Sequence, residues 1–486
     1  MIRLLFTCVA SLLLAGSTVV AADPPVFRAG AATNHITPPL GGSIVGGFGP
    51  MVASHIHDDL FARCIVLDDG KTQLALVVCD LLGIATQVTD EARKQIQEKT
   101  GIPAANILIC ATHTHSGVTA LGQNRFATKP TLDEYQKFVV TRIVDGVRSA
   151  KNNLRPAEFA FGTVDIPEHV FNRRWHLKEG TMPANPFGST KDIVKMNPGA
   201  GNPNLVKPAG PTDPAVSILS FRDPEGAPIA VLASYSLHYV GGVPSGHISS
   251  DYFGVFSKRM LELANRNDLD PPFVPIMANG TSGDINNINF REPRGRKAPY
   301  EQMKNVAYDV AEKVDQAIKG LKYRSDITLA AAYKDADIKF RQPSEEQLAW
   351  MEKTLAAGPQ KPVDLSFIYA ERARSIANQE SFPPIPLQVL RIGDLCIGTM
   401  PCEVFVEIGQ DFKKNCPIQP AFLMSLSHGY YGYLPPPHQH KLGGYETWLG
   451  TNRLEVEASD KMLAELYEMT RQVQPAAAPN EPAKTK

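Results

Sequence analysis

The run Ala111-Thr112-His113-Thr114-His115-Ser116-Gly117 is the part of the chain best equipped for chemistry. It follows the apolar stretch Asn106-Ile107-Leu108-Ile109-Cys110, which predicts a buried strand feeding a loop. Residues two apart on an extended backbone share a face, so His113 and His115 are expected side by side. Two imidazoles leaving a core strand together suit a metal site or acid–base work. A lone histidine there would read better as a polar residue closing a strand, so the meaning of the pair rests on what joins it.

Three other segments place metal-competent side chains directly after an apolar strand. Val231-Leu232-Ala233-Ser234-Tyr235-Ser236-Leu237 runs into His238, then Gly241-Gly242 and Ser249-Ser250-Asp251. Ile397-Gly398-Thr399-Met400-Pro401-Cys402 runs into Glu403, which is expected to open a helix. Phe422-Leu423-Met424-Ser425-Leu426 leads to Gly429-Tyr430-Tyr431-Gly432-Tyr433. Loops at strand ends are where α/β proteins collect site residues. Each segment alone has a plainer reading: Glu403 as a carboxylate at a helix N-terminus, His238 as a buried, hydrogen-bonded histidine, the tyrosines as packing. Together, two His, one Glu and one Tyr offer nitrogen and oxygen ligands that suit Zn²⁺. Their wide spacing leaves open whether they converge.

The elements that must position these residues alternate between strand-like and helical patterns. Strands are predicted at 62–67 and 73–79, paired about Asp68-Asp69-Gly70, and at 106–112, 215–221, 228–235 and 273–277. A further hairpin joins 387–392 to 395–399, and 327–340 reads as extended. Helices are predicted at 89–99 with Thr89 as N-cap, and from a capping box at Thr131-Leu132-Asp133-Glu134. Others fall near 252–265, 302–319, 344–357, 365–378 and 454–473. The class is α/β: a mixed β-sheet core with flanking helices, and a metal site built from strand-end loops. No internal repeat is visible. Residues 178–214, rich in Gly, Pro and Asn, predict a long surface loop.

Composition narrows the compartment and the partners. Residues 1–22 read as a secretory signal, with Arg3, an apolar run and Val20-Ala21-Ala22 before a cut at Asp23. The protein is therefore expected to be secreted or periplasmic. Residues 23–473 would form the working domain and 474–486 a disordered tail. No second apolar stretch suits a membrane span. With 49 basic and 50 acidic residues the net charge is −1, and no basic block stands out, so nucleic acid has no electrostatic support as a partner. Cys64, Cys79, Cys110 and Cys396 lie in apolar runs that suit buried thiols; one bridge in an oxidising compartment stays open.

In ordered motifs across roughly 27–455, the chain resembles the neutral/alkaline (non-lysosomal) ceramidases. The resemblance begins with Arg28-Ala29-Gly30, Ile36-Thr37-Pro38-Pro39 and Asp59-Leu60-Phe61-Ala62-Arg63, and continues with Thr112 to Gly117, where Val118 replaces a common Pro. It goes on through Phe171-Asn172-Arg173-Arg174, Asp213-Pro214, Ser249-Ser250-Asp251, Pro401-Cys402-Glu403, Tyr430 to Tyr433, and Tyr445-Glu446. It implies a zinc amidohydrolase that cleaves the N-acyl bond of ceramide or a related lipid amide, touching a membrane surface only transiently. By this resemblance His113, His238, Glu403 and Tyr433 correspond to the Zn²⁺ ligands. His115 and Arg173 would contact the reacting carbonyl or product carboxylate, and Tyr445 would stabilise the oxyanion.

The pattern breaks at the family's proposed serine nucleophile, where Asn279-Gly280-Thr281-Ser282-Gly283-Asp284-Ile285-Asn286 places Asn286. An amide is neither a useful nucleophile nor a base. Either water activated at the metal attacks directly with Asn286 donating to the carbonyl, or the reaction has changed. The alternatives are a zinc hydrolase of another amide or ester, and a metal-containing binding protein with little activity. Asp284 is retained and would orient the loop. A C-terminal immunoglobulin-like module common in the family is not expected here.

Overall fold

The computed structural model describes residues 26–49, 51–122, 131–379 and 383–475. The predicted signal at 1–22 and residues 476–486 of the predicted tail lie outside the described residues.

Three sheets repeat one topology. The first contains β1 (Arg28–His35), β2 (Phe61–Asp68), β3 (Gln73–Cys79) and β4 (Ile107–Ala111); α1 (Thr86–Thr100) links β3 to β4, and α2 (Glu134–Asn152) follows. The pairs β1–β2 and β2–β3 are antiparallel, and β3–β4 is parallel. The second sheet repeats this order with β5 (Glu158–Asp165), β6 (Ala215–Arg222), β7 (Pro228–Tyr235), α3 (Asp251–Ala264), β8 (Val274–Asn279) and α4 (Glu301–Ile318). The third begins with β9 (Leu329–Ala336), inserts the helix pair α5 (Glu345–Ala357) and α6 (Leu365–Ala377), and continues with β10 (Ile385–Ile392) and β11 (Leu395–Thr399). It closes with α7 (Val406–Asn415), β12 (Ala421–Met424) and α8 (Ala458–Gln472), in the same strand order and sense. The absence of a visible sequence repeat is therefore no guide to the architecture. Each repeat asks only for apolar residues at strand and helix periods, and many side chains meet that demand.

One face of every sheet meets a central core, to which Ile65 and Leu76, Leu219 and Ile276, and Leu390 and Phe422 contribute. The opposite face packs under helices: Cys64, Val66 and Val77 against α1 and α2, with equivalent clusters beneath α3–α4 and α7–α8. Alternate residues of β2 and β3 thus enter two different cores. A strand buried on both faces reads as an unbroken apolar run, as Leu74 to Cys79 does. Truncating a residue such as Leu76 to Ala would cost about 2–5 kcal/mol.

The α/β reading holds, and several local expectations shift. Helix α1 starts at Thr86, and the Thr89 hydroxyl turns inward to the carbonyls of Thr86 and His428 instead of capping. The capping box of α2 is Asp133 with Gln136, two residues beyond the predicted frame. The segment 178–214 is not all loop: Val194–Met196 and Leu205–Pro208 flank Arg174–Leu177 in a small sheet. Glu403 does not open a helix. It pairs in parallel with Tyr433 across the two-residue strands Glu403–Val404 and Tyr433–Leu434, and α7 starts at Val406. The six described cysteines are all buried and unbridged.

Candidate functional site

Each sheet's parallel pair runs out at one place. Beyond β3, the Leu81 carbonyl accepts the backbone N–H of His113 at 2.9 Å, and the Leu82 carbonyl accepts its Nδ1–H at 2.7 Å. Beyond β8, the Ser282 carbonyl accepts Nδ1–H of His238, which leaves β7, at 3.0 Å. Beyond β11 and β12 come Glu403, Tyr430 and Tyr433. Gly283 lets two of these ends touch: its N–H donates to the Val404 carbonyl at 2.8 Å, and a Cβ there would stand 2.5 Å from the Glu403 carbonyl oxygen.

His113 and His115 converge, though not on an extended strand. β4 ends at Ala111, and His113 takes a left-handed conformation with φ of 72°. Their Nε2 atoms lie 3.0 Å apart. His115 directs Nδ1 to the Gly46 carbonyl at 3.1 Å and stacks on Tyr239, ring centroids 3.8 Å apart. A carbonyl only accepts, so all three rings carry their proton on Nδ1 and present Nε2 as a bare acceptor. Into the same space points Glu403 Oε2, 3.2 Å from His113 Nε2 and 3.6 Å from His238 Nε2. Neither Glu403 Oε2 nor His238 Nε2 has a hydrogen-bond partner, although both are buried.

Acceptors turned on one another in a buried site repel unless a cation lies among them. Protons are a poor answer. Burial comes first, and Arg173 and the neighbouring imidazoles, each disfavouring a further positive charge, help hold His115 and His238 well below the ordinary histidine range. Burial alone would raise Glu403, but His113, Tyr430 and Tyr433 outweigh it and keep the carboxylate ionised. The ligand atoms of His113, His115 and His238 all lie within 4.8 Å of one another, a group able to hold a metal ion. Carbonyl-anchored Nδ1 atoms are the outer support that metal-binding histidines require.

Tyr433 is buried beside this group. It pairs with Glu403 along the backbone, the Arg173 guanidinium lies 5.2 Å from its ring centroid, and its ring lies 5.6 Å from that of Tyr445. Arg173 Nε donates to Glu446 Oε1 at 3.0 Å, while its Nη2 is buried with no partner. Arg174 Nη1 holds the other Glu446 oxygen at 2.7 Å. Geometry does not separate His115 from the expected ligands, since its Nε2 stands as close to His113 as any.

Asp284 and Asn286 are placed differently. Asp284 accepts Val406 N–H at 2.9 Å and Asn172 Nδ2 at 2.7 Å, fastening α7 to the Arg173 segment; burial lifts its carboxyl to about 6. Asn286 lies opposite Phe171 in a two-residue pairing and donates Nδ2 to Asn197 Oδ1 at 3.0 Å, leaving its own oxygen buried and unpartnered. Neither side chain bonds to a histidine among the described residues. Ser282 gives its hydroxyl to Asn279 Oδ1 at 2.8 Å and stands behind His238.

Sequence reasoning named Tyr430 and Glu446 without giving them a role and passed over Tyr239: the Tyr430 hydroxyl donates to Glu403 Oε1 at 2.5 Å, Glu446 lies between two arginines, and Tyr239 stacks on His115. Each adjoins or nearly adjoins a residue it had picked, so neighbours of candidate ligands were the available signal. A cavity of about 210 Å³ opens beside His115, Ser116 and Tyr239.

Comparison with known proteins gives one consistent family. A family model described as "Neutral/alkaline non-lysosomal ceramidase, N-terminal" matches residues 27–298. The chain is 26% identical over 306 residues to the neutral ceramidase of Pseudomonas aeruginosa, covering 60% of this chain and 41% of that protein. It is 24% identical over 278 residues to neutral ceramidase A of Dictyostelium discoideum, covering 55% and 35%. The matched region thus spans less than half the length of either relative. The crystal structure of the Pseudomonas aeruginosa neutral ceramidase superposes with a TM-score of 0.68 at 18% identity, over 94% of this chain and 77% of that one. A solved structure described as ceramidase complexed with C2 gives 0.69 at 18%, over 94% and 78%. These superpositions speak to the fold.

Proposed function

The chain belongs to the neutral/alkaline non-lysosomal ceramidase family, and from that premise we propose that it is a zinc-dependent amidohydrolase cleaving the N-acyl bond of ceramide or a related lipid amide. The observation that carries the reading is the set of bare, mutually facing acceptors, His113 Nε2, His115 Nε2, His238 Nε2 and Glu403 Oε2. Nitrogen and oxygen donors of this kind fit Zn²⁺. His113, His238, Glu403 and Tyr433 would hold the ion, which when bound polarises a carbonyl and brings the pKa of water to about 7.

The chain's own residues do the rest. His115, neutral and bare at Nε2, would sit beside the reacting carbonyl and accept a hydrogen bond from the attacking water, orienting it. Arg173, fixed by Glu446, turns its unpartnered Nη2 to the carbonyl oxygen, and Tyr445 donates to the same oxyanion. Asp284 positions the Arg173 segment. Asn286 supplies no nucleophile, so water attacks; its Nδ2 bonds Asn197 through one N–H and keeps a second that would donate to the carbonyl. The pattern at 1–22 supports export to a secreted or periplasmic location, and among the described residues no helix is long and apolar enough to cross a membrane.

The engagement of Ser282 and Asn286 favours one second reading, a site with another amide or ester substrate or with little activity. Metal analysis tests both, with a fluorescent N-acyl sphingosine assayed beside short-chain amides and esters and His113→Ala as control. Ceramide cleavage lost in the variant is expected. Bound metal with no turnover leaves a binding protein, and cleavage unaffected by the variant overturns the site.

A further inference from the structure

Resting on the hydrolase reading, we propose that the mouth of the site carries a subsite for an oxyanion on the substrate, a carboxylate, phosphate or sulfonate, built from Arg294, Arg296 and Lys297. These three line a second cavity, of about 490 Å³. Gly242, Val243 and Pro244 form a wall common to it and to the cavity beside His115 and Tyr239. A substrate whose amide lies at the histidines would therefore extend its polar end directly between the cations.

The carrier loop is positioned at both ends. On one side the Phe290 carbonyl accepts Gly201 N–H at 2.9 Å, and Arg291 covers the Trp175 ring at 4.9 Å. On the other, Tyr300 donates its N–H to the Gly242 carbonyl at 2.9 Å and its ring stacks on His57 at 3.6 Å. Between them, 291–297 holds four cations and one carboxylate, Glu292, a short basic run that the sequence reading passed over because the whole-chain charge is only −1. Glu301, next along the chain, accepts Ala298 N–H at 2.9 Å. Lys297 donates to Gln302. Arg294 and Arg296 are exposed and make no ion pair or side-chain hydrogen bond among the described residues, so their planar forks are free for the paired oxygens of an oxyanion.

The test compares N-dodecanoylglycine with N-dodecanoylethanolamine, amides of one chain length that differ in a carboxylate. Binding and hydrolysis are measured for the metal-loaded full chain and for R294A/R296A. Wild type should favour the carboxylate by about tenfold at low ionic strength; the double variant, or about 0.5 M salt, should remove most of that preference and leave the neutral amide unchanged. Equal binding of the two ligands by wild type overturns the subsite. So does a variant that keeps the preference but loses binding to phosphatidylglycerol-containing vesicles over phosphatidylcholine ones, since the cations would then face a lipid surface. A binding preference that persists where neither these amides nor N-acyl sphingosine is hydrolysed supports the subsite and sinks the hydrolase reading alone.

Discussion

His113 and His115 face each other through Nε2 atoms 3.0 Å apart, while each Nδ1 is held by a backbone carbonyl, that of Leu82 for His113 and that of Gly46 for His115. Both rings are locked with their acceptors inward, and neither can turn away without orphaning a carbonyl. The arrangement is stable once a cation enters, and several consequences can be measured.

Metal should stabilise the folded chain. At a free metal concentration about 100 times its dissociation constant the gain is about 2.7 kcal/mol. Melting with added Zn²⁺ and with chelator should therefore separate clearly, and His238→Ala should erase the gap. An unchanged gap in the variant would exclude His238 as a ligand.

Tyr430→Phe removes the donor to Glu403 Oε1 and leaves the ring in place against Gly83. Losing such outer support should lower metal affinity by about 10–100-fold with the fold intact. Competition against a chromogenic chelator reads the affinity, and circular dichroism the fold.

Gly46→Ala is a probe of His115 alone. A Cβ at Gly46 would lie 2.7 Å from His115 Nδ1, and the backbone there has φ of 122°, which side chains avoid. The ring should be displaced, and kcat should fall by about tenfold or more while metal content stays near wild type. Loss of metal together with activity would instead make His115 a ligand.

Glu446→Ala leaves Arg173 and Arg174 buried without their shared carboxylate. Breaking a buried charge group this way should cost about 3–5 kcal/mol, visible in urea unfolding. A loss below about 1 kcal/mol would show that water replaces the carboxylate.

Stability should fall in acid for a definable reason. Burial, reinforced by nearby positive charge, holds His238 and His428 well below the ordinary histidine value in the folded chain. The unfolded chain then binds more protons below about pH 6.5, so the stability present above that pH is lost as pH falls, by at most about 1.4 kcal/mol per unit for each residue. His428 is the clean test, because it is not one of the grouped histidines and its Nε2 bonds Gln388 Oε1 at 2.9 Å. In metal-free protein His428→Gln should flatten the dependence of urea midpoint on pH; an unchanged slope contradicts the assignment.

Strand periodicity, the apolar runs ahead of His113, His238 and Glu403, and the α/β class were all legible in the chain. Such patterns are local, set by which faces a strand or helix must bury. The side-by-side histidines were anticipated on an extended backbone; the structure reaches the same neighbourhood through a left-handed turn at His113. Glu403 read as a helix opener because a carboxylate after a strand resembles one, whereas its pairing with Tyr433 lies 30 residues away in sequence.

Residue types and their order along the chain therefore decided which side chains were available: two histidines after one strand, a third after another, a glutamate and tyrosines after two more. Tertiary structure alone decided that they meet, because three sheets with no visible sequence repeat share one topology and end their parallel pairs at one point. It also decided ring orientation, through the carbonyls of Leu82, Gly46 and Ser282, which carry no side-chain signature. Backbone hydrogen bonds between distant segments depend on where chains run, and only the packed core specifies that.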